Sequence, residues 1–287
     1  MAIPRPADFF SRLSQCTTLE KAKAEIDAEY AYLSSELLTL ASLKSGFTAY
    51  RNFFRYNDYT HPSLNNEALS SLFLKRFTLT LPQLETFKNN HKKQIIYDME
   101  NLKPITNVTG FIDASISLLQ SHSYLDLMLG LCALTGRRSA EIATSAEFTY
   151  VDPHTILFHG QLKVKERQNV KPYTFPCLHK ADILVKCLSF LRQAKPQFIN
   201  DTTRFHNACS KDLSRKAKEI FDPLFSFPVK TKDLRSIYAE ICYKLFNENK
   251  RLSRSRYYAQ ILGHDELDVV TAQSYDDFRI EDPSFTS

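Results

Sequence analysis

The chain has little glycine, six residues in 287, and it has no CxxC pair, no long apolar run and no repeated segment. With 43% apolar and 24% charged residues, the composition is that of a globular protein able to bury a core, and the length suits one large domain or two modest ones. No apolar run approaches the roughly 20 residues that span a bilayer, which argues against a membrane protein. The opening Met1-Ala2-Ile3-Pro4-Arg5-Pro6 lacks the apolar core of a secretory signal, so the expected compartment is the cytoplasm. Cysteines at 16, 132, 177, 187, 209 and 242 are scattered. Zinc and a disulfide framework both fit that spacing poorly, and six reduced, mostly buried thiols fit it better. The absence of repeats excludes a solenoid or propeller.

What the chain does have is uneven charge. The net charge of +5 hides an acidic end: residues 265–287 hold seven acids against Arg279, so the first 264 residues carry +11. Residues 203–260 contain thirteen Lys or Arg and six Asp or Glu. Basic segments attract a phosphate backbone by releasing its counterions. Charge alone fits a solvated helical surface equally well.

The first third reads as helical. Thr17-Thr18-Leu19-Glu20 fits a capping box, followed by an apolar stripe at Ile26, Tyr30, Leu33, Leu37 and Leu40 that Gly46 is expected to break. Further helices are expected near 63–77 and 81–102, the latter with Leu84, Phe87, Ile95, Met99 and Leu102 inward. Tyr50-Arg51-Asn52-Phe53-Phe54-Arg55-Tyr56 interleaves rings with cations. Arg51 and Arg55 are candidate DNA contacts, as are Lys92 and Lys93, although a helix with packed rings and exposed arginines gives the same pattern. Residues 104–110, with Pro104 and Gly110, have lost the helical period and read as a linker. The expected division is therefore a helical domain over 1–103 and a second domain over 111–287.

The second part opens with helices, including an apolar one over Tyr124–Leu134. Strand-like runs follow at Phe148–Val151, Thr155–Phe158 and Tyr173–Pro176, the first two joined by a turn at Asp152-Pro153-His154. Helices return near 180–194, 206–221, 231–247 and 254–262. The expected fold class is mainly α with a small antiparallel β-sheet, an α+β arrangement without alternating β and α units.

Six separated residues carry the chemistry. Arg138 lies in Thr135-Gly136-Arg137-Arg138-Ser139-Ala140-Glu141-Ile142, past a glycine expected to end one helix and at the start of another. Arg137 is an alternative anchor, and Glu141 is expected to buttress an arginine or to cap backbone donors. Lys163 follows a strand and Gly160, with Lys165 and Arg167 in the same hairpin. Lys232 and Arg235 are spaced to share one helix face, with Thr231 as the expected N-cap. His264 ends Ile261-Leu262-Gly263-His264, where Gly263 reads as a helix C-cap. Tyr275 follows in Gln273-Ser274-Tyr275-Asp276-Asp277; Tyr257 and Tyr258 precede the histidine on a helix expected to be packed. Arg254 and Arg256 on that helix are further candidate DNA contacts. A catalyst that breaks a phosphodiester needs cations on its nonbridging oxygens, an acid for the leaving oxygen and a placed nucleophile. Arginine suits the first task because its fork holds two phosphate oxygens.

In order and spacing the set Arg138, Lys163, Lys232, Arg235, His264 and Tyr275 resembles the tyrosine recombinase superfamily. Gly160-Gln161-Leu162-Lys163, in place of the usual Gly-Lys-Gly, and lysine at 232, in place of histidine, look most like the protelomerases, or telomere resolvases. One departure is a histidine-to-tyrosine gap about two residues longer than usual in recombinases. The resemblance implies a two-domain C-shaped clamp of the tyrosine recombinase catalytic fold, with a helical core-binding, DNA-binding domain over 1–103 and a catalytic domain over 111–287. It implies Tyr275 as nucleophile, Lys163 as general acid and His264 as a donor to the scissile phosphate. It also implies a homodimer on an inverted-repeat DNA duplex, with no metal or small-molecule cofactor. A phage or mobile-element integrase, a type IB topoisomerase and a catalytically silent DNA-binding relative are the alternatives.

Overall fold

The computed structural model describes residues 5–162, 171–247, 251–264 and 275–285, without the side chain of Met99. The chain divides into two compact units, residues 1–96 and 97–287.

The first unit is helical. Helix α1 (Pro6–Leu13), which periodicity does not reveal, opens on a proline, where the missing N–H would be unpaired in any case. Thr18, one residue beyond the cap that the Thr17–Glu20 box implies, caps α2 (Leu19–Glu36), its hydroxyl accepting from the Lys21 N–H at 3.2 Å. The expected break at Gly46 is corrected. Thr39 starts α3 (Leu40–Tyr56) by accepting from the Ser42 N–H at 3.1 Å, and Gly46 lies buried inside that helix. A threonine that captures a backbone donor starts a new helix, whereas one interior glycine costs only about 1 kcal/mol, which the packing of Leu43, Phe47 and Tyr50 offsets. Helices α4 (Asn66–Arg76) and α5 (Leu81–Glu100) follow.

The core of this unit is aromatic: Phe9, Phe10, Phe47, Tyr50, Phe73 and Phe77 are buried together, with the Phe73 and Phe77 rings stacked at 4.7 Å. Three of the four rings in the Tyr50–Tyr56 run thus serve packing, with Tyr50 buried and Phe53 and Phe54 against the core. Ile95, expected inward, is exposed along with Ile96 and Tyr97. Spacing marks an apolar stripe, not what covers it.

In the second unit the stretch 104–110, expected to be a linker, is structured. Strand β1 (Lys103–Ile105) pairs in parallel with a strand at Phe278–Ile280, the fifth among the described residues (β5). Helix α6 (Val108–Leu119) starts from Asn107, whose side chain accepts from the Gly110 N–H at 2.8 Å. A three-residue strand paired with the far end of the chain leaves no local period to read.

Helix α7 (Tyr124–Thr135) is buried continuously from Leu127 to Thr135, so it is the central helix of the unit. Helices α6, α8 (Ser139–Thr144), α9 (Ala181–Ala194), α10 (Thr202–Phe221) and α11 (Asp233–Phe246) pack around it. The sheet is antiparallel in the order β2 (Glu147–Asp152), β3 (Thr155–His159), β4 (Tyr173–Pro176), with Phe148 opposite Phe158 and Ile156 opposite Phe175. The β2–β3 turn is closed by the His154 N–H donating to Asp152 at 2.9 Å. Helix α12 (Arg254–Leu262) completes the set. Thr231 does not cap α11; Lys232 holds the N-cap position with helical torsions, and the Asp233 carboxylate accepts from the Lys230 N–H at 2.9 Å. The chain therefore enters α11 already turning, without a side-chain cap, and Asp233 ties down the turn that precedes the helix.

All six cysteines are free thiols. Among the described residues no helix is long and apolar enough to cross a membrane.

Gly136 ends α7 in the left-handed region at φ 64°, and a Cβ there would lie 2.1 Å from the ring of buried Tyr238. Gly136→Ala is expected to destabilise the protein by about 2–4 kcal/mol, backbone strain and ring displacement together. Urea unfolding measures this, and a midpoint equal to that of the parent protein would refute it.

Candidate active site

The left-handed turn at Gly136 sends two consecutive arginines to different fates. Arg137 points inward and is 1% exposed. It donates through Nε to the Thr135 carbonyl at 3.1 Å, through Nη2 to the Ile261 carbonyl at 2.7 Å and through Nη1 to the Tyr173 hydroxyl. Its guanidinium also lies 4.4 Å from the Phe175 ring centroid. Arg137 therefore joins α7, α12 and the sheet, and its donors are spent within the protein. Arg138, half-buried at the N-cap of α8, is the arginine that faces the site.

Glu141, fully buried, accepts from the Arg138 backbone N–H at 2.9 Å and from Arg138 Nη1 at 2.6 Å. It also accepts from the Leu162 N–H at 3.3 Å and lies 4.0 Å from Arg235 Nη1. Burial raises its pKa, but Arg235, Arg138 and Arg137 outweigh that and hold it below the ordinary carboxylate range. The expected buttress is thus a shared one.

Arg235, on the first turn of α11, is 5% exposed. It donates through Nη1 to the Gly136 carbonyl at 2.5 Å and through Nη2 to the Leu262 carbonyl at 2.8 Å. Its Nε–H is buried with no hydrogen-bond partner among the described residues. Burial and the neighbouring Arg137 and Arg138 charges push its pKa down, while Glu141 opposes them. Arg138, in direct contact with Glu141, goes the other way: burial lowers it, but Glu141 and Tyr275 give a net rise.

Tyr275 lies beneath both cations. Its hydroxyl is 3.4 Å from Arg138 Nη2, and the Arg235 guanidinium is 5.3 Å from its ring centroid. Burial raises the phenol pKa, but the Arg235 and Arg138 charges and the Arg138 hydrogen bond overcome it, so the net shift is downward. Tyr257 and Tyr258, the rival phenols, are buried, and burial drives both pKa values upward. His264 follows Gly263, a left-handed C-cap at φ 69°, and its ring lies 5.3 Å from that of Tyr275. A Cβ at Gly263 would strike the Tyr173 ring at 2.3 Å, so the turn that delivers the histidine packs on the partner of Arg137.

Lys232 is exposed at the start of α11. Burial raises the pKa of the Asp277 carboxyl, and the charge of Lys232 opposes that rise. Lys163, Lys165 and Arg167 lie outside the described residues. The chain just before them is anchored at the site: Gln161 donates through its side chain to the Gly263 carbonyl at 2.6 Å, and the Leu162 N–H reaches Glu141.

Of the remaining candidates, Arg55, Lys92 and Lys93 are exposed in the first unit, and half-buried Arg51 donates to the Thr48 hydroxyl at 3.1 Å. Arg256 is half-buried on α12. Arg254 is engaged within the protein by Glu240 and Asp276. Gln161 lies in the Gly160–Lys163 motif and Tyr173 in a strand-like run, but neither local pattern reveals their contacts. Their roles depend on contacts with residues far along the chain. The arrangement can place a phenol of lowered pKa against a phosphate held by two arginines and a histidine.

The model of the telomere resolvase ResT/TelK catalytic domain matches residues 101–278. The protelomerase of Klebsiella oxytoca phage phiKO2 is 28% identical over 208 residues, covering 67% of this chain and 31% of that protein. The telomere resolvase ResT of Borreliella burgdorferi is 22% identical over 194 residues, covering 67% of this chain and 42% of that protein. The chain thus spans less than half the length of these curated relatives. Among solved structures, selenomethionine protelomerase tela covalently complexed with substrate DNA superposes with a TM-score of 0.80 at 25% identity, covering 96% of this chain and 87% of that one. An arginine-to-alanine mutant of the same protein, complexed with DNA hairpin product, gives the same values. With a single family matching more than half of its residues, and with that family's fold, this chain belongs to the telomere resolvases, the protelomerases of tyrosine recombinase type.

Proposed function

We propose that this chain is a DNA breaking and rejoining enzyme that resolves a palindromic duplex into two covalently closed hairpin ends. One observation carries the reading: the Tyr275 hydroxyl lies against Arg138 and beneath Arg235, which lower its pKa despite burial. The Tyr275 oxygen attacks the scissile phosphorus, a Tyr–O–P bond forms and the P–O5′ bond breaks. The product is a 3′-phosphotyrosine and a 5′ hydroxyl. Arg138 and Arg235 take the growing charge on the nonbridging oxygens, with His264 as a further donor. Lys163 supplies the proton to the departing 5′ oxygen, and Lys232 adds positive charge from the start of α11.

Each 5′ hydroxyl then attacks the phosphotyrosine on the opposite strand of its own half-site, which re-forms a phosphodiester and releases the phenol. The ester conserves the bond energy, so the cycle consumes no ATP, and the side-chain cations do the work a metal would do. An inverted repeat presents the same contacts twice, which fits a two-fold homodimer with one protomer per half-site. Arg51, Arg55, Lys92, Lys93, Lys165, Arg167 and Arg256 are proposed contacts to the duplex. The matching relatives come from phages and a bacterium, which fits action on DNA in a prokaryotic cytoplasm.

Tyr275→Phe is expected to bind DNA like the parent protein and to form no covalent adduct, since the ring keeps its packing and only the nucleophile is lost. A protease-sensitive DNA adduct from this variant would place the nucleophile elsewhere.

Lys163→Ala is expected to lose cleavage of ordinary DNA and to recover it on a 5′-bridging phosphorothiolate, where sulfur leaves without needing a proton. Equal defects on the oxygen and sulfur substrates would remove Lys163 from the acid role.

On the perfect inverted repeat nearest its gene, the protein with EDTA and no nucleotide is expected to yield two hairpin-ended products. These snap back after denaturation and resist exonuclease. Strand-exchanged linear products without such ends would favour integration instead.

A further inference from the structure

The described chain holds Tyr275 from its C-terminal side. From Phe278 onward the segment is fixed: Phe278 is buried, β5 pairs with β1, and the Asp282 carboxylate accepts from the Val108 N–H at 2.8 Å. Between that anchor and the tyrosine stand Asp276 and Asp277. Asp276 accepts from Arg254 Nη1 at 3.1 Å. Arg254 in turn pairs through Nε with Glu240 at 3.2 Å and donates through Nη2 to its other oxygen at 3.3 Å. Glu240 is 4% exposed and also accepts from the Tyr258 hydroxyl at 2.6 Å and from the Ile280 N–H at 3.4 Å.

The bracket thus joins three segments, each of which carries a site residue. Glu240 lies on α11 with Arg235, Arg254 opens α12, which leads to His264, and Asp276 is bonded in sequence to Tyr275. A buried carboxylate with one arginine and several donors is a rigid, directional device, because leaving any member unpaired is expensive.

We propose that Glu240, Arg254 and Asp276 form a positioning bracket that sets where the Tyr275 hydroxyl stands relative to Arg138 and Arg235, and that Arg254 acts through this bracket and not as a DNA contact. The chemical consequence rests on the covalent-tyrosine reading above; the geometric one does not. A misplacement of about 1 Å in a reacting group can slow a reaction on the order of a hundredfold, so a device two residues from contact with substrate can govern the rate.

The test uses the full chain in parent, Arg254→Ala, Arg254→Lys and Asp276→Ala forms. With tyrosines labelled at 13Cζ and no DNA present, NMR follows the ionisation of Tyr275, assigned by its loss in Tyr275→Phe. The expected result is that Arg254→Ala and Asp276→Ala return this ionisation upward to the range of free tyrosine, because the phenol leaves its two cations, while Arg254→Lys recovers part of the shift. On the inverted-repeat duplex, single-turnover adduct formation is expected to fall on the order of tenfold to a hundredfold with DNA affinity unchanged. An unaltered Tyr275 ionisation in folded Asp276→Ala overturns the bracket, as does a loss of cleavage carried entirely by weaker DNA binding in Arg254→Ala. If Arg254→Ala does not fold, Asp276→Ala decides, since it leaves the Glu240–Arg254 pair in place. If the parent protein forms no adduct on the duplex, the proposed function fails, and the NMR arm still decides the bracket.

Discussion

One buried carboxylate underlies the second unit. Arg137, Arg138 and Arg235 converge where α7 ends and α11 begins, and burial together with repulsion from the other two depresses Arg235. Glu141 supplies the opposing charge from within, fully buried and held ionised by all three. Removing one partner of such a buried set typically costs about 3–5 kcal/mol, because the remaining charges stay buried and unpaired. Glu141 also takes the Leu162 N–H, so the same carboxylate fixes where the chain runs just before Lys163. One negative charge against three positive ones leaves the site cationic, the state in which a phosphate is attracted and a phenol is easier to ionise.

The arginines show how a turn divides labour between neighbours. Arg137 spends its donors on two carbonyls and the Tyr173 hydroxyl and lies against aromatic rings of the sheet. Arg235 spends two of its donors on the carbonyls of Gly136 and Leu262 and presents its guanidinium to the Tyr275 ring. The carbonyls they use belong to helix ends, groups that helices leave unpaired. The ends of α7 and α12 are therefore stitched together by the cations that define the site, so folding of the unit and assembly of the site are one event. Tyr275 enters that assembly from the far end of the chain, held by a strand, a buried phenylalanine and an ionic bracket.

Much of this was legible in the residues. The helices of the second unit, the antiparallel three-stranded sheet with its Asp152-Pro153-His154 turn, and the left-handed caps at Gly136 and Gly263 follow from local patterns: apolar period, strand alternation and the backbone freedom of glycine. So does the pairing of Arg138 with Glu141, one helical turn apart. Other features were not legible. The parallel pairing of 103–105 with 278–280, the helix at Pro6–Leu13, the exposure of Ile95 and the engagement of Arg254 all depend on what meets what across the fold.

The sequence by itself determined the residue types that can handle a phosphate, their order, and the helix or strand on which most of them lie, because side-chain chemistry and backbone propensity are local. Only the tertiary structure decided which of two adjacent arginines faces the phenol, which of three late tyrosines lies under the cations, and that Arg254 of α12 is spent inside the protein. Those choices turn on burial and on distances between segments far apart in the chain, and a charged or phenolic group takes its role from the neighbours that desolvate and pair it.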